Sequence, residues 1–242
     1  MQNLILVGAG PGVGEAIAWR FGRAGFRIGL IARNSARLSE LAARLKAASI
    51  PAFWSTADAA DMGQIDQALD ALVGEMGPCN VMIYNAAVLR PEDPLDLETE
   101  TLAQEFAVNV LGAHRVAKKL AGPMVTRGSG AMLFTNGGLA YEPFPEWTSL
   151  ALGKAALRSL SISLYKELSP KGVHVASIAI CGIVREGGPF DPARIAEFYY
   201  QAATSPKGIE DREIVIQPPG TDWLYNDPQR THSATTRAPK YP

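Results

Sequence analysis

Seven short apolar runs recur along the 242-residue chain, separated by longer stretches of helical spacing. The runs are NLILVG (3–8), RIGLIA (27–32), PAFWST (51–56), NVMIYN (80–85), AMLFTN (131–136), VHVASIAI (173–180) and EIVIQ (213–217). Apolar residues fill neighbouring positions in most of them, as expected of strands covered on both faces. Segments 13–24, 35–48, 61–76, 98–127, 147–169 and 191–203 carry the spacing of amphipathic helices. Strands that alternate with helices in this way predict an α/β fold, a doubly wound parallel sheet of seven strands with helices on both faces. With 47% hydrophobic and 19% charged residues, residues 1–217 suffice for one sizeable domain. Residues 218–242 turn polar and proline-rich and read as a tail or docking arm.

Charge and cysteine content narrow the function. A net charge of -1 gives no basic field for nucleic acid or an anionic membrane surface. Cys79 and Cys181 lie far apart, so neither a disulfide framework nor a metal cluster is expected, and a reducing cytoplasm fits. The opening run MQNLILVGAG has no basic leader, and no apolar run approaches membrane-spanning length, so neither secretion nor membrane insertion is expected.

The first run ends in GAGPGVG, which places Gly8, Gly10, Gly12 and Gly14 before a helix beginning near Val13. Glycines permit a tight turn and close approach of backbone to a pyrophosphate, which then meets the exposed N–H groups of the helix. The spacing departs from GxGxxG because Val13 stands where the third glycine would fall. At the end of the second strand an acid would accept a hydrogen bond from an adenosine 2′-hydroxyl. This chain has Arg33 there, which suits a 2′-phosphate and favours NADP(H).

The order and spacing of GAGPGVG, Asp58 in ADAAD, YNAA (84–87), Asn109 in FAVNVLG, Lys154 in ALGKAALRSL and AICGIV (179–184) resemble the short-chain dehydrogenase/reductase family over roughly residues 1–217. The resemblance implies a seven-stranded Rossmann sheet binding a nicotinamide dinucleotide. It implies Gly8, Gly12 and Gly14 at the pyrophosphate, with Gly10 and Val13 of the same loop among the cofactor-binding residues, Asp58 at the adenine, and Asn85 and Ala86 beside the adenosine ribose. Lys154 would meet the nicotinamide ribose, and Gly182 and Val184 the nicotinamide end. The family also forms dimers and tetramers through its two long helices, here 98–127 and 147–169, so a homodimer or homotetramer is expected.

The resemblance breaks at the active site. The family uses Asn, Ser, Tyr and Lys, with the tyrosine four residues before the lysine; Asn109 and Lys154 match, but the tyrosine position is Leu150 and the serine position is Gly137. In a carbonyl reduction the phenol supplies the proton and the serine orients the substrate oxygen. Leucine and glycine do neither. Tyr141 and Glu146, in the loop GLAYEPFPEW (138–147), are the candidate replacements, Glu146 needing a raised pKa from Phe144 and Trp147 to act as an acid. Two readings are open. One is an NADP(H)-dependent oxidoreductase acting on a small carbonyl, imine or activated alkene with a displaced or absent proton donor. The other is an inactive cofactor-binding sensor or scaffold.

Overall fold

The computed structural model describes residues 1–204 and 212–218. All seven expected strands form: β1 (Asn3–Val7), β2 (Arg27–Ala32), β3 (Ala52–Thr56), β4 (Val81–Tyr84), β5 (Gly130–Gly137), β6 (Val173–Ile180) and β7 (Glu213–Ile216). They join in one parallel sheet in the order β3-β2-β1-β4-β5-β6-β7. The expected tail lies outside the described residues, apart from Pro218.

Strand β1 shows why the sheet is parallel and central. All five of its residues are buried, so it needs cover above and below. Leu4 and Leu6 belong to the apolar layer under α1 (Val13–Arg23), α2 (Ser35–Ala47) and α7 (Pro192–Thr204). Ile5 and Val7 belong to the opposite layer, under α3 (Met62–Met76), α5 (Gly112–Arg127) and α6 (Thr148–Leu168). The alternation of side chains along a strand sends successive residues to opposite faces, so an unbroken apolar run serves both layers. Among the described residues no helix is long and apolar enough to cross a membrane.

The chain builds outward from β1 through β2 to β3, then crosses to β4 on the other side of β1. That reversal opens a crevice beyond the C-terminal ends of β1 and β4, where ligands of doubly wound sheets bind. The two strand-end loops meet there closely: a Cβ on Gly8 would stand 2.3 Å from the Ala86 nitrogen.

The expected single helix over 98–127 is interrupted. Helix α4 (Thr99–Phe106) leads into a π turn (Ala107–Leu111) before α5. Its causes are visible in the packing. The Tyr84 hydroxyl donates to the Val108 carbonyl at 2.5 Å, giving a partner to a carbonyl inside the widened turn. Gly112, next after the turn, lies so close to the Ala59 carbonyl and the Tyr84 hydroxyl that a Cβ would stand 2.3 and 2.6 Å from them. The extra residue of a π turn rotates the helix beyond it, and π turns recur at functional positions. Asn109 is at its centre.

Candidate functional site

The glycine loop has the backbone of an anion cradle. Gly8 and Gly12 have φ of +90° and +82°, a region that favours glycine. Gly14 is needed for close packing, since its Cβ would lie 2.6 Å from the Gly8 carbonyl oxygen. A Cβ on Gly10 or Gly12 would meet nothing within 4 Å, so this side of the loop is open. No side-chain oxygen caps α1 at Gly12; in the first turn the Glu15 N–H donates to the Gly10 carbonyl at 2.9 Å. Those residues fit a pyrophosphate.

Beside this loop is a cleft of about 250 Å³ lined by Gly10, Pro11, Glu15, Arg37, Glu40 and Arg44 among others. Arg44 is paired with Glu15 at 2.7 Å. Arg33 is exposed just beyond β2 and makes no hydrogen bond or ion pair among the described residues, while the next residue, Asn34, caps α2 by accepting from the Arg37 N–H. Arg37 is thus a second cation near the position where Arg33 was expected alone. The Asp58 carboxylate accepts from the Ala60 N–H at 2.9 Å, its carbonyl accepts from the Asp61 N–H at 3.0 Å, and its own N–H donates to Gln64 Oε1 at 3.0 Å.

Asn85 ties the two sides of the crevice together. Its amide nitrogen donates to the Gly8 carbonyl at 2.9 Å and its Oδ1 accepts from the Thr135 hydroxyl at 2.9 Å. Thr135 in turn accepts from the Tyr199 hydroxyl at 2.7 Å. Sequence reading missed Thr135 and Tyr199, because a threonine within a strand and a tyrosine on an amphipathic helix look like ordinary packing residues.

Lys154 and Asn109 come from separate elements to the same region. Lys154 on α6 is 8% exposed and donates from Nζ to the Thr135 carbonyl at 2.8 Å. Burial pulls its pKa down to about 8. Asn109 is 2% exposed; its Oδ1 accepts from the Val88 N–H at 2.9 Å, and its buried Nδ2 has no partner among the described residues. Gly153 admits it, since a Cβ there would stand 2.7 Å from the Asn109 Cβ. Leu150 is 6% exposed and occupies the α6 face one turn before Lys154. Gly137 ends β5 with its N–H donating to Asn136 Oδ1 at 3.0 Å. Asn136 also reaches back, from Nδ2, to the Lys154 carbonyl and the Ser177 hydroxyl, each at 3.2 Å.

The two candidate replacements for the phenol are placed differently. The Tyr141 hydroxyl donates to Glu213 Oε1 at 3.1 Å, and Glu213 is clamped by Arg158 at 2.5 and 2.8 Å. Burial, with Glu213 adding to it, holds the Tyr141 pKa above the ordinary phenol value. Tyr141 therefore pins the loop after β5 to β7, and its proton is committed there. Glu146 is half-buried, and its carboxylate makes no hydrogen bond among the described residues; its backbone carbonyl accepts from the Glu92 N–H at 2.8 Å. Beyond β6, Gly182 packs under Phe190, and Val184 is 37% exposed on the loop that leads to α7.

The model of the short chain dehydrogenase family matches residues 2–187. An uncharacterized oxidoreductase of Staphylococcus epidermidis is 28% identical over 223 residues, which cover 88% of this chain and 96% of that protein. A short-chain dehydrogenase/reductase of Armillaria gallica is 27% identical over 213 residues, covering 87% of this chain and 78% of that one. The crystal structure of a metagenomic short-chain oxidoreductase in complex with NADP superposes with a TM-score of 0.82 at 25% identity, covering 90% of this chain and 97% of that one.

The loop geometry separates two glycines in their effect on stability. Gly8→Ala is expected to lose about 2 kcal/mol or more in urea unfolding, from its positive φ and the clash with Ala86. Gly10→Ala should stay within about 0.5 kcal/mol of the parent. Equal losses at both positions would contradict these separate roles.

Proposed function

The chain belongs to the short-chain dehydrogenase family, and we propose that it is an NADP(H)-dependent oxidoreductase that reduces a small carbonyl, imine or activated alkene without the usual phenol donor. The observation that carries this reading is the buried pair Asn109 and Lys154, with Lys154 bound to the Thr135 carbonyl and Thr135 linked through Asn85 to the Gly8 carbonyl of the open glycine cradle. A cradle alone would serve a binding protein. An ammonium kept in the interior with no carboxylate partner is costly, and such groups concentrate at reacting centres.

When bound, the nicotinamide supplies the hydride. Around it, Gly8, Gly10, Gly12, Val13 and Gly14 would hold the pyrophosphate, and Arg33, with Arg37 beside it, the 2′-phosphate. Asp58 would accept from the adenine, and Asn85 and Ala86 would border the adenosine ribose. Lys154 would donate to the nicotinamide ribose, and Gly182 and Val184 would border the carboxamide. Glu146 remains a candidate for contact with substrate, whereas the bond from Tyr141 to Glu213 supports a positioning role for that tyrosine.

A homodimer or homotetramer is part of the proposal. Leu111 and Leu152, on the two long helical segments, are 49% and 47% exposed, and burying them against a second copy removes apolar surface from water. Two buried cysteines outside any disulfide among the described residues suit a reducing, cytoplasmic setting.

The second reading, a cofactor-binding protein without catalysis, is favoured by the burial of Leu150 where the acid is expected. Deuteride transfer from 4-deuterated NADPH to a panel of ketones, imines and enones separates the two. Label in the product is expected with wild type. An inert wild type beside an active Leu150→Tyr variant would favour the binding-protein reading. Arg33→Ala is expected to lower NADPH affinity about tenfold or more while leaving NADH binding within about twofold, as measured by fluorescence titration. Equal losses would remove the 2′-phosphate assignment. Sedimentation at micromolar protein should give a dimeric or tetrameric mass, and a monomeric mass would contradict the oligomer.

A further inference from the structure

We infer that Lys154 itself is the acid of the reduction, giving a proton from Nζ to the substrate oxygen in place of the absent phenol. The inference rests on the reductase reading and concerns a role that the family pattern gives to a tyrosine.

The first support is the count of donors. An ammonium has three N–H bonds. Among the described residues Lys154 makes one hydrogen bond, to the Thr135 carbonyl, and no ion pair. Two N–H bonds of a cation that is 8% exposed therefore find no acceptor among those residues. In a packed interior that arrangement persists where a ligand or water completes it.

The second support is elimination among the neighbours. Leu150, one turn earlier on the same face, has no proton to give. Tyr141 has committed its hydroxyl to Glu213 and is a weaker acid than an ordinary phenol. Tyr199 is fully buried and donates to Thr135, with its pKa also raised by burial. Gly137 has no side chain.

The third support is electrostatic isolation. Glu105 on α4, one turn before Asn109, is bound to Arg90 at 2.7 Å. Arg158, one turn beyond Lys154, is neutralised by Glu213 from β7. On α5, Arg115 is paired with Asp66. On β6, His174 lies at the end away from the crevice, opposite Ala131 of β5, whereas Thr135 pairs with Ile178. The π turn and the start of the loop after β5 present only neutral groups, Asn109 among them. No charged neighbour among the described residues holds the proton on Lys154, and burial alone acts on it, bringing its pKa to about 8. An acid is most effective when its pKa lies near the working pH.

The step balances. A hydride from the reduced nicotinamide forms the new C–H bond at the carbonyl carbon, and the C=O π pair moves to oxygen. Oxygen takes the ammonium proton, and the neutral amine recovers one from solvent. The carbonyl is reduced and the dinucleotide oxidised, with no further reactant.

The test compares two titrations on the full chain saturated with NADPH. One follows Lys154 by NMR of lysine labelled with ¹³C at the ε position, where a depressed midpoint sets it apart from solvated lysines. The other is kcat/KM against pH for a ketone that wild type reduces. The two midpoints are expected to coincide, with kcat/KM falling tenfold per pH unit above them. Lys154→Arg keeps the charge and a donor for Thr135 but cannot release a proton. At saturating NADPH it should reduce the ketone about 10²–10⁴-fold more slowly. If that variant fails to fold, the wild-type comparison decides alone. Midpoints more than one unit apart, a flat profile, or a profile abolished by Glu146→Gln would overturn the inference and leave the reductase standing. NADPH binding with no hydride transfer to any acceptor would overturn the reductase reading and this inference with it.

Discussion

One carbonyl fixes the hydrogen-bond directions across the whole site. The Gly8 carbonyl can only accept, so the Asn85 amide must turn its nitrogen toward it, at 2.9 Å. That leaves Oδ1 facing Thr135, which must then donate, also at 2.9 Å. A threonine that has given its proton receives one, and the Tyr199 hydroxyl supplies it at 2.7 Å. The backbone carbonyl of the same Thr135 holds the Lys154 ammonium. Glycine loop, β4 end, β5, α6 and α7 are thereby fastened through one residue, with no choice of proton position left open. Each link is buried or partly buried, so removing one leaves a stranded partner at a cost of about 1–3 kcal/mol.

This fastening works because the sheet has already brought the loops together. The reversal of strand order between β3 and β4 puts the ends of β1 and β4 side by side, and only a glycine at position 8 lets the Ala86 backbone come as near as it does. The crevice, the open face of the loop and the buried lysine then share one edge of the sheet. Family membership accounts for that frame.

Strands and most helices were legible in the sequence because their signals are local. Residues 27–32 and 173–180 are bounded in the structure as their apolar runs predict. The π turn was not legible, since Asn109 sits in a segment whose spacing reads as one continuous helix. What breaks it is contact with Tyr84 and Ala59, both far away in sequence. Arg158 and Glu213 were invisible for the same reason: they are 55 residues apart and become a pair only when β7 docks beside β6. Glycine spacing, by contrast, announced the cradle directly, because only a backbone constraint explains four glycines in seven residues. Tyr141 was found as a candidate but could not be assigned a direction, which the Glu213 contact supplies.

Leucine at position 150, one turn before Lys154, shapes the setting of that ammonium. A phenol beside an ammonium offers it an oxygen; a leucine offers only apolar surface and deepens its desolvation. With Glu105 and Glu213 engaged by arginines, the Thr135 carbonyl is the one acceptor the described fold gives it. Desolvation dominates, and the pKa falls from 10.5 to about 8. The sign of the consequence is definite. The unfolded chain holds this proton up to the ordinary lysine value, so the buried charge opposes folding in full below about pH 8. That opposition fades between there and pH 10.5, where stability rises with pH. A leucine or methionine at 154 would pack in the same interior with no such penalty. The fold therefore carries a buried destabilising cation one residue from Gly153, which packs on Asn109, whose amide nitrogen finds no partner among the described residues. A residue that costs stability without repaying it in packing is the pattern that concentrates at functional positions.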